Sequence, residues 1–102
     1  ELVMVLVPVV KTVNLKVVSS VMKAKKAFLA SGVDAERVTG YVVGGISPLG
    51  TRTTLRTLID ESANNYEILY CSGGRRGLEI SISPKELLRA INAQAVPGLT
   101  NK

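Results

Sequence analysis

The middle of the chain carries a glycine-rich loop whose residue types are suited to holding a ligand against the backbone. The loop covers residues 40–50, and its central residues are Gly44, Gly45, Ile46, Ser47 and Pro48. The glycine pair can adopt positive φ and approach a ligand closely, and proline keeps the preceding residue out of the helical region. Such a loop can direct amide N–H groups at a developing oxyanion. The alternative is a tight structural turn, which the spacing alone favours.

A second glycine loop, Ser72–Gly77, places Arg75 and Arg76 between two predicted strands. Its exposed amides and its two guanidinium groups could bind a phosphate. The alternative is a hairpin loop with solvated arginines, and this alternative is favoured when the loop is considered by itself.

The commonest general base in catalysis, histidine, is missing. The sequence has no histidine, which excludes Ser-His and Cys-His nucleophiles and the usual zinc sites. The single cysteine, Cys71, is predicted to be a small buried hydrophobe rather than a nucleophile. A lone cysteine also indicates a reducing compartment, so we expect a cytoplasmic protein, and no metal or cofactor motif is found.

The composition is that of a folded, basic domain. The 102 residues are 46% apolar and 21% charged, which predicts one domain over residues 1–102. The net charge of +5 suits a nucleic-acid partner, and a generically basic protein is an equal alternative. The cluster Lys23, Lys25 and Lys26 could contact a tRNA backbone or simply be a solvated helix end. The opening apolar run is too short to span a bilayer, so no membrane partner is expected.

Apolar periodicity and turn signals predict the elements that position these loops. Strands are predicted at Leu2–Val10, Lys25–Ala30, Thr54–Asp60 and Tyr66–Cys71, and where Leu78, Ile80 and Ile82 alternate with polar residues. Helices are predicted from Asn14 to about Lys23, as one turn at Asp34–Val38, and after the capping box that starts at Ser83, with Pro84 first and Leu87, Leu88 and Ile91 inward. A ragged polar tail is expected after Pro97. Strands and helices that intermix in this way predict an α+β fold around a mixed sheet.

Three blocks together resemble the YbaK family, which is related to the editing domain inserted in bacterial prolyl-tRNA synthetases. They are Thr39–Gly50, Leu58–Asp60 and Ser72–Leu78, and the resemblance extends from Leu2 to about Ile91. It implies an α+β fold with a mixed, strongly curved sheet flanked by helices. It also implies cleavage of the ester of a mischarged, proline-specific tRNA, with cysteine as the first expectation. Alanine, or an inactive module that binds tRNA or a synthetase, is the alternative. The implied partners are that tRNA and, as a further option, prolyl-tRNA synthetase.

The resemblance also implies roles for particular residues. Gly44 is expected to contact the scissile ester, and the mechanism to be assisted by the substrate's own thiol or a ribose hydroxyl. The residues expected to bind substrate are Gly45, Ile46, Ser47, Pro48, Ser72 and Glu79, the last standing where the family often has aspartate. Those expected to bind tRNA are Arg52, Arg75, Arg76, Lys23, Lys25 and Lys26. The family carries an important lysine on a strand upstream of Glu1, so we expect this sequence to be the C-terminal two-thirds of the domain.

Overall fold

The computed structural model describes residues 1–101 and contains two small sheets and three helices. In chain order the elements are β1 (Val3–Leu6), α1 (Leu15–Val21), α2 (Gly32–Thr39), β2 (Arg56–Asp60), a 3₁₀ turn (Glu61–Asn65), β3 (Leu69–Ser72), β4 (Glu79–Ile82), α3 (Pro84–Ile91) and β5 (Gln94–Val96). The predicted α+β class is confirmed.

Parallel and antiparallel pairing both occur, each in its own sheet. The first sheet has the order β1-β2-β5 with all strands parallel, and Leu58 of the central strand lies opposite Val5 and Gln94. The second sheet is the antiparallel hairpin of β3 and β4, in which Tyr70 lies opposite Ser81 and Ser72 opposite Glu79. The second glycine loop is the connection of this hairpin.

The core forms where the parallel sheet meets α1. Leu58 and Leu99 are completely buried, and Val18 of α1 and Val96 of β5 pack with them. Each helix begins after a capping residue, and the caps of α1 and α3 are the predicted ones. The Asn14 Oδ1 accepts from the N–H groups of Lys16 and Val17, and the Ser83 hydroxyl accepts from the N–H of Glu86.

Predictions for three segments of the chain are wrong. The first strand stops at Leu6 because Pro8 begins a turn, closed by the N–H of Lys11 donating to the Pro8 carbonyl, and Val9 is fully exposed. The segment Lys25–Ala30 is not a strand, and five of its six residues are exposed. α2 runs for two turns rather than one, since Ser31 caps it.

The expected ragged tail is instead part of the core. The Asp60 carboxylate, itself buried, accepts from the Leu99 N–H at 3.1 Å and from the Ser62 N–H at 3.2 Å. The bond from the Leu99 N–H to Asp60 ties the tail to the end of the central strand, and Thr100 then forms a β-bridge with Val13. Within residues 1–101, no helix has the length and apolar character needed to cross a bilayer.

Candidate functional site

The first glycine loop is held in one shape by bonds within itself. The Tyr41 hydroxyl donates to the Leu49 carbonyl at 2.5 Å, which joins the two ends of the loop. Ser47 is 2% exposed, and its hydroxyl accepts from the Leu49 N–H at 3.1 Å. Gly44 has φ of +91°, a backbone conformation that residues other than glycine rarely adopt. Ser47 and Pro48 are buried, so they shape the loop from inside.

The two glycine loops pack directly against each other. A Cβ atom added to Gly45 would lie 2.6 Å from the Cα of Arg75 and 2.7 Å from the backbone N of Arg76. A Cβ on Gly74 would lie 3.0 Å from the Tyr41 ring. The two backbones can approach this closely at Gly45, and the Tyr41 ring can approach Gly74, only because both positions lack a side chain. The structure thus brings the two loops predicted from sequence into one site.

The Arg76 side chain reaches from the second loop to the first. Its Nε donates to the Val43 carbonyl at 2.9 Å, and its Nε and Cγ lie 3.0 and 3.3 Å from where a Gly44 Cβ would be. The side chain is therefore folded over the first loop. Arg75 is exposed, with no hydrogen bond or ion pair from its side chain among residues 1–101.

Glu36 takes part in the site, although the sequence reasoning gave it no role. It lies in α2, and its Oε2 accepts from the Val43 N–H at 2.7 Å. A carboxylate on a short helix just before a glycine loop is the signal that could have identified it. Because α2 ends at Gly40 in the left-handed conformation, the chain turns back and carries Val43 past the helix.

Five amides of the first loop have no hydrogen-bond acceptor within residues 1–101, and they are those of Val42, Gly44, Ile46, Ser47 and Gly50. The Gly45 N–H closes a turn on the Val42 carbonyl at 2.9 Å, so it is occupied. The N–H groups of Gly44 and Ile46 have no acceptor within residues 1–101. Gly44 is exposed, so its amide lies at the surface of the loop. Unpaired amides in a constrained loop are the donors that an oxyanion site requires.

The hairpin adds two polar side chains beside these loops. Ser72 and Glu79 face each other across β3 and β4, and their side chains share one face of the hairpin. The Ser72 hydroxyl accepts from the Gly74 N–H at 3.2 Å, which braces the start of the second loop.

Cys71 points to the opposite face of the hairpin and is half-buried rather than fully buried. Burial, and to a smaller extent the Glu79 carboxylate, raise the pKa of its thiol above the ordinary value. A raised pKa keeps the thiol protonated, which agrees with the prediction that Cys71 is not a nucleophile.

The remaining predicted residues lie around the site or away from it. Arg52 lies at the base of the first loop, where its side chain covers Gly40 and its N–H donates to the Thr39 carbonyl at 2.8 Å. Lys23, Lys25 and Lys26 follow α1, all exposed. Lys26 lines an open apolar cavity of about 700 Å³ between β1 and the segment after α1. No residue of either glycine loop lines that cavity, and within residues 1–101 no hydrogen bond or ion pair links the three lysine side chains to the loops.

Comparison with known proteins decides the family. The model of the aminoacyl-tRNA editing domain matches residues 1–90, which include both glycine loops. The chain belongs to the aminoacyl-tRNA editing domain family. This editing domain is 32% identical over 88 residues to EbsC of Enterococcus faecalis, a proposed Cys-tRNA(Pro)/Cys-tRNA(Cys) deacylase. The match covers 86% of the chain and 54% of EbsC, so the editing domain spans about half the length of that curated relative.

Solved structures give the same result for the fold. A crystal structure of a proposed trans-editing enzyme for prolyl-tRNA synthetase has a TM-score of 0.81 and 25% identity, over 90% of this chain and 57% of that one. The hypothetical protein APE2540 has a TM-score of 0.82 and 25% identity, over 95% of this chain and 65% of that one. The resemblance predicted from the glycine loops is thereby confirmed.

Proposed function

We propose that residues 1–102 act as one editing domain that deacylates mischarged, proline-specific tRNA, with the cysteinyl ester as its substrate. The observation that carries the proposal is the contact of the two glycine loops, beside which the Gly44 and Ile46 amides have no acceptor within residues 1–101. Gly44 is exposed and Ile46 is half-buried. Similarity to EbsC supports the choice of cysteine. The name of the trans-editing relative supports tRNA, and prolyl-tRNA synthetase as a second partner.

The proposed chemistry relies on the backbone N–H groups that the loops can offer as hydrogen-bond donors. Water adds to the carbonyl carbon of the ester, the carbonyl oxygen becomes an oxyanion, and the bond to the ribose oxygen then breaks. The ribose oxygen takes up the proton that the water loses, which leaves a free amino acid and an intact tRNA. Amide donors that are already in position stabilise the oxyanion, and one such donor is worth about 10²–10³ in rate. The chain needs no histidine for this if a substrate hydroxyl or thiol relays the proton.

The proposed substrate contacts follow the same geometry. Gly44 and Ile46 would donate to the oxyanion, and Ser72 and Glu79 would line the side of the pocket formed by the hairpin. Gly45, Ser47 and Pro48 are buried in the loop and would act by shaping it. Arg75 is the exposed arginine best suited to a tRNA phosphate, since Arg76 is already bonded to Val43.

Parallel deacylation assays test this proposal. The full-length protein is incubated with cysteinyl, alanyl and prolyl esters of the same proline-specific tRNA, and ester loss is followed against a buffer control. We expect the cysteinyl ester to be lost selectively and the prolyl ester to persist. Preference for the alanyl ester would reassign the substrate. Binding of tRNA without loss of any ester would replace the enzyme with a tRNA-binding module.

A further inference from the structure

The Val43–Gly44 peptide needs an external restraint to keep one orientation. Glycine populates positive and negative φ about equally, so Gly44 alone would permit that peptide to flip. A flip would exchange the directions of the Val43 carbonyl and the Gly44 N–H. The observed φ of +91° at Gly44 is therefore one of two accessible choices that the fold must select.

The structure holds Val43 from both sides. From α2, Glu36 Oε2 accepts the Val43 N–H at 2.7 Å, and from the second loop, Arg76 Nε donates to the Val43 carbonyl at 2.9 Å. Because a trans peptide is planar, its N–H points away from its C=O. By holding the Val43 oxygen, Arg76 directs the Gly44 N–H to the side away from its own guanidinium. The two contacts come from elements 40 residues apart in the chain, Glu36 and Arg76.

We propose that Glu36 and Arg76 are positioning residues that hold the two peptides on either side of the Val43 Cα so that the Gly44 amide is directed at the ester oxyanion. Glu36 holds the Val42–Val43 peptide and Arg76 holds the Val43–Gly44 peptide, and we call this pair of contacts the lock. This inference rests on the proposed function, and it assigns Arg76 to the loop rather than to the tRNA backbone. Neither side chain touches substrate in this account. Their effect on the rate passes entirely through the direction of one amide.

Replacing Arg76 by lysine distinguishes this positioning role from a phosphate contact. A lysine at position 76 keeps the positive charge, so it would still attract a phosphate. It lacks the Nε–H group at mid-chain that bonds to Val43, so it would lose the lock. Arg89 provides the control because it is an exposed arginine on α3, lies outside both loops and makes no side-chain hydrogen bond or ion pair within residues 1–101.

The first test is kinetic and uses the full-length protein with cysteinyl-tRNA(Pro). We expect Arg76→Lys and Glu36→Ala to lower kcat by about 10- to 100-fold with KM nearly unchanged, as for a misaligned oxyanion donor. Glu36→Gln keeps an acceptor oxygen and should stay within about threefold of the wild type. Arg89→Lys should also be close to wild type. Full kcat in Arg76→Lys, or a raised KM with a flatter salt dependence, would identify a phosphate contact and overturn the lock.

The second test does not depend on deacylation. Glycine labelled with ¹⁵N is incorporated and the Gly44 amide resonance is compared among the same variants. We expect it to move or broaden in Arg76→Lys and Glu36→Ala and to stay in place in Arg89→Lys. An unmoved Gly44 resonance in Arg76→Lys would refute the lock even if the wild type deacylated no ester. Inactivity of the wild type alone would refute the proposed function and leave the lock to be decided by this spectrum.

Discussion

Replacing Gly45 by alanine tests whether the two loops form one site. The new Cβ would lie 2.6 Å from the Arg75 Cα and 2.7 Å from both the Arg75 carbonyl carbon and the Arg76 N. All three neighbours are backbone atoms, so no side chain can turn aside to make room. The loops must separate by several tenths of an ångström, which displaces the Arg76 side chain from Val43.

The expected size of the effect comes from packing. Overfilling a close-packed contact costs about 1–3 kcal/mol, and alanine recovers about 0.4–1 kcal/mol by restricting the unfolded chain. We therefore expect a fall of about 1–2 kcal/mol in the free energy of unfolding. Because the Gly44 amide loses its alignment, we also expect deacylation of cysteinyl-tRNA(Pro) to fall by about 10-fold or more.

Gly77→Ala is the matched control. Gly77 lies in the second loop at φ of +80°, and a Cβ there would meet nothing within 4 Å. It carries a conformational cost of about 1–2 kcal/mol without disturbing the contact between the loops. Denaturant unfolding and single-turnover deacylation are measured for both variants. If Gly45→Ala keeps full activity, or Gly77→Ala loses as much, the contact between the loops is not what organises the site.

Two further predictions concern the core and the hairpin. Leu99→Ala should lower the free energy of unfolding, measured in urea, by about 2–5 kcal/mol because Leu99 is completely buried. Val9→Ala, at a fully exposed position, should change it by less than about 0.5 kcal/mol. Equal effects of the two substitutions would show that the tail is not part of the core. Burial and the Glu79 carboxylate both raise the pKa of Cys71, so Glu79→Gln should lower the pH at which iodoacetamide alkylation is half-maximal, and an unchanged midpoint would contradict that coupling.

Local chemistry made most of the elements predictable. Neighbouring residues are enough to predict the caps at Asn14 and Ser83 and the alternation around Ile80. The structure has α1, α3 and β4 at these places. The family resemblance was also carried by short blocks of fixed spacing. Such signals need no knowledge of what packs against them.

The tail could not be predicted, because its order depends on a distant carboxylate. Nothing near Leu99 signals burial, and its N–H is satisfied by Asp60, 39 residues earlier in the chain. The strand predicted at Lys25–Ala30 is absent although the segment contains apolar residues, since it has no strand partner in the described part of the chain. Phe28 is 75% exposed there, with Lys26 5.4 Å from its ring.

The site was predicted in its parts and not in its assembly. Gly44 and Gly45 stand out by type, but only the fold reveals that Gly45 touches the second loop and that Arg76 reaches back to Val43. The sequence signal for Glu36 is a carboxylate on a short helix just before a glycine loop, but it does not reveal the partner, because the bond to the Val43 N–H forms only where α2 passes the loop.

The most direct test of the central claim is the release of radiolabelled cysteine from proline-specific tRNA by the full-length protein at saturating concentration. The account predicts release well above the buffer rate, an unchanged prolyl ester under the same conditions, and a recovered tRNA that can be charged again. Release at the buffer rate, with the tRNA bound, would contradict the account and leave the editing fold without editing activity.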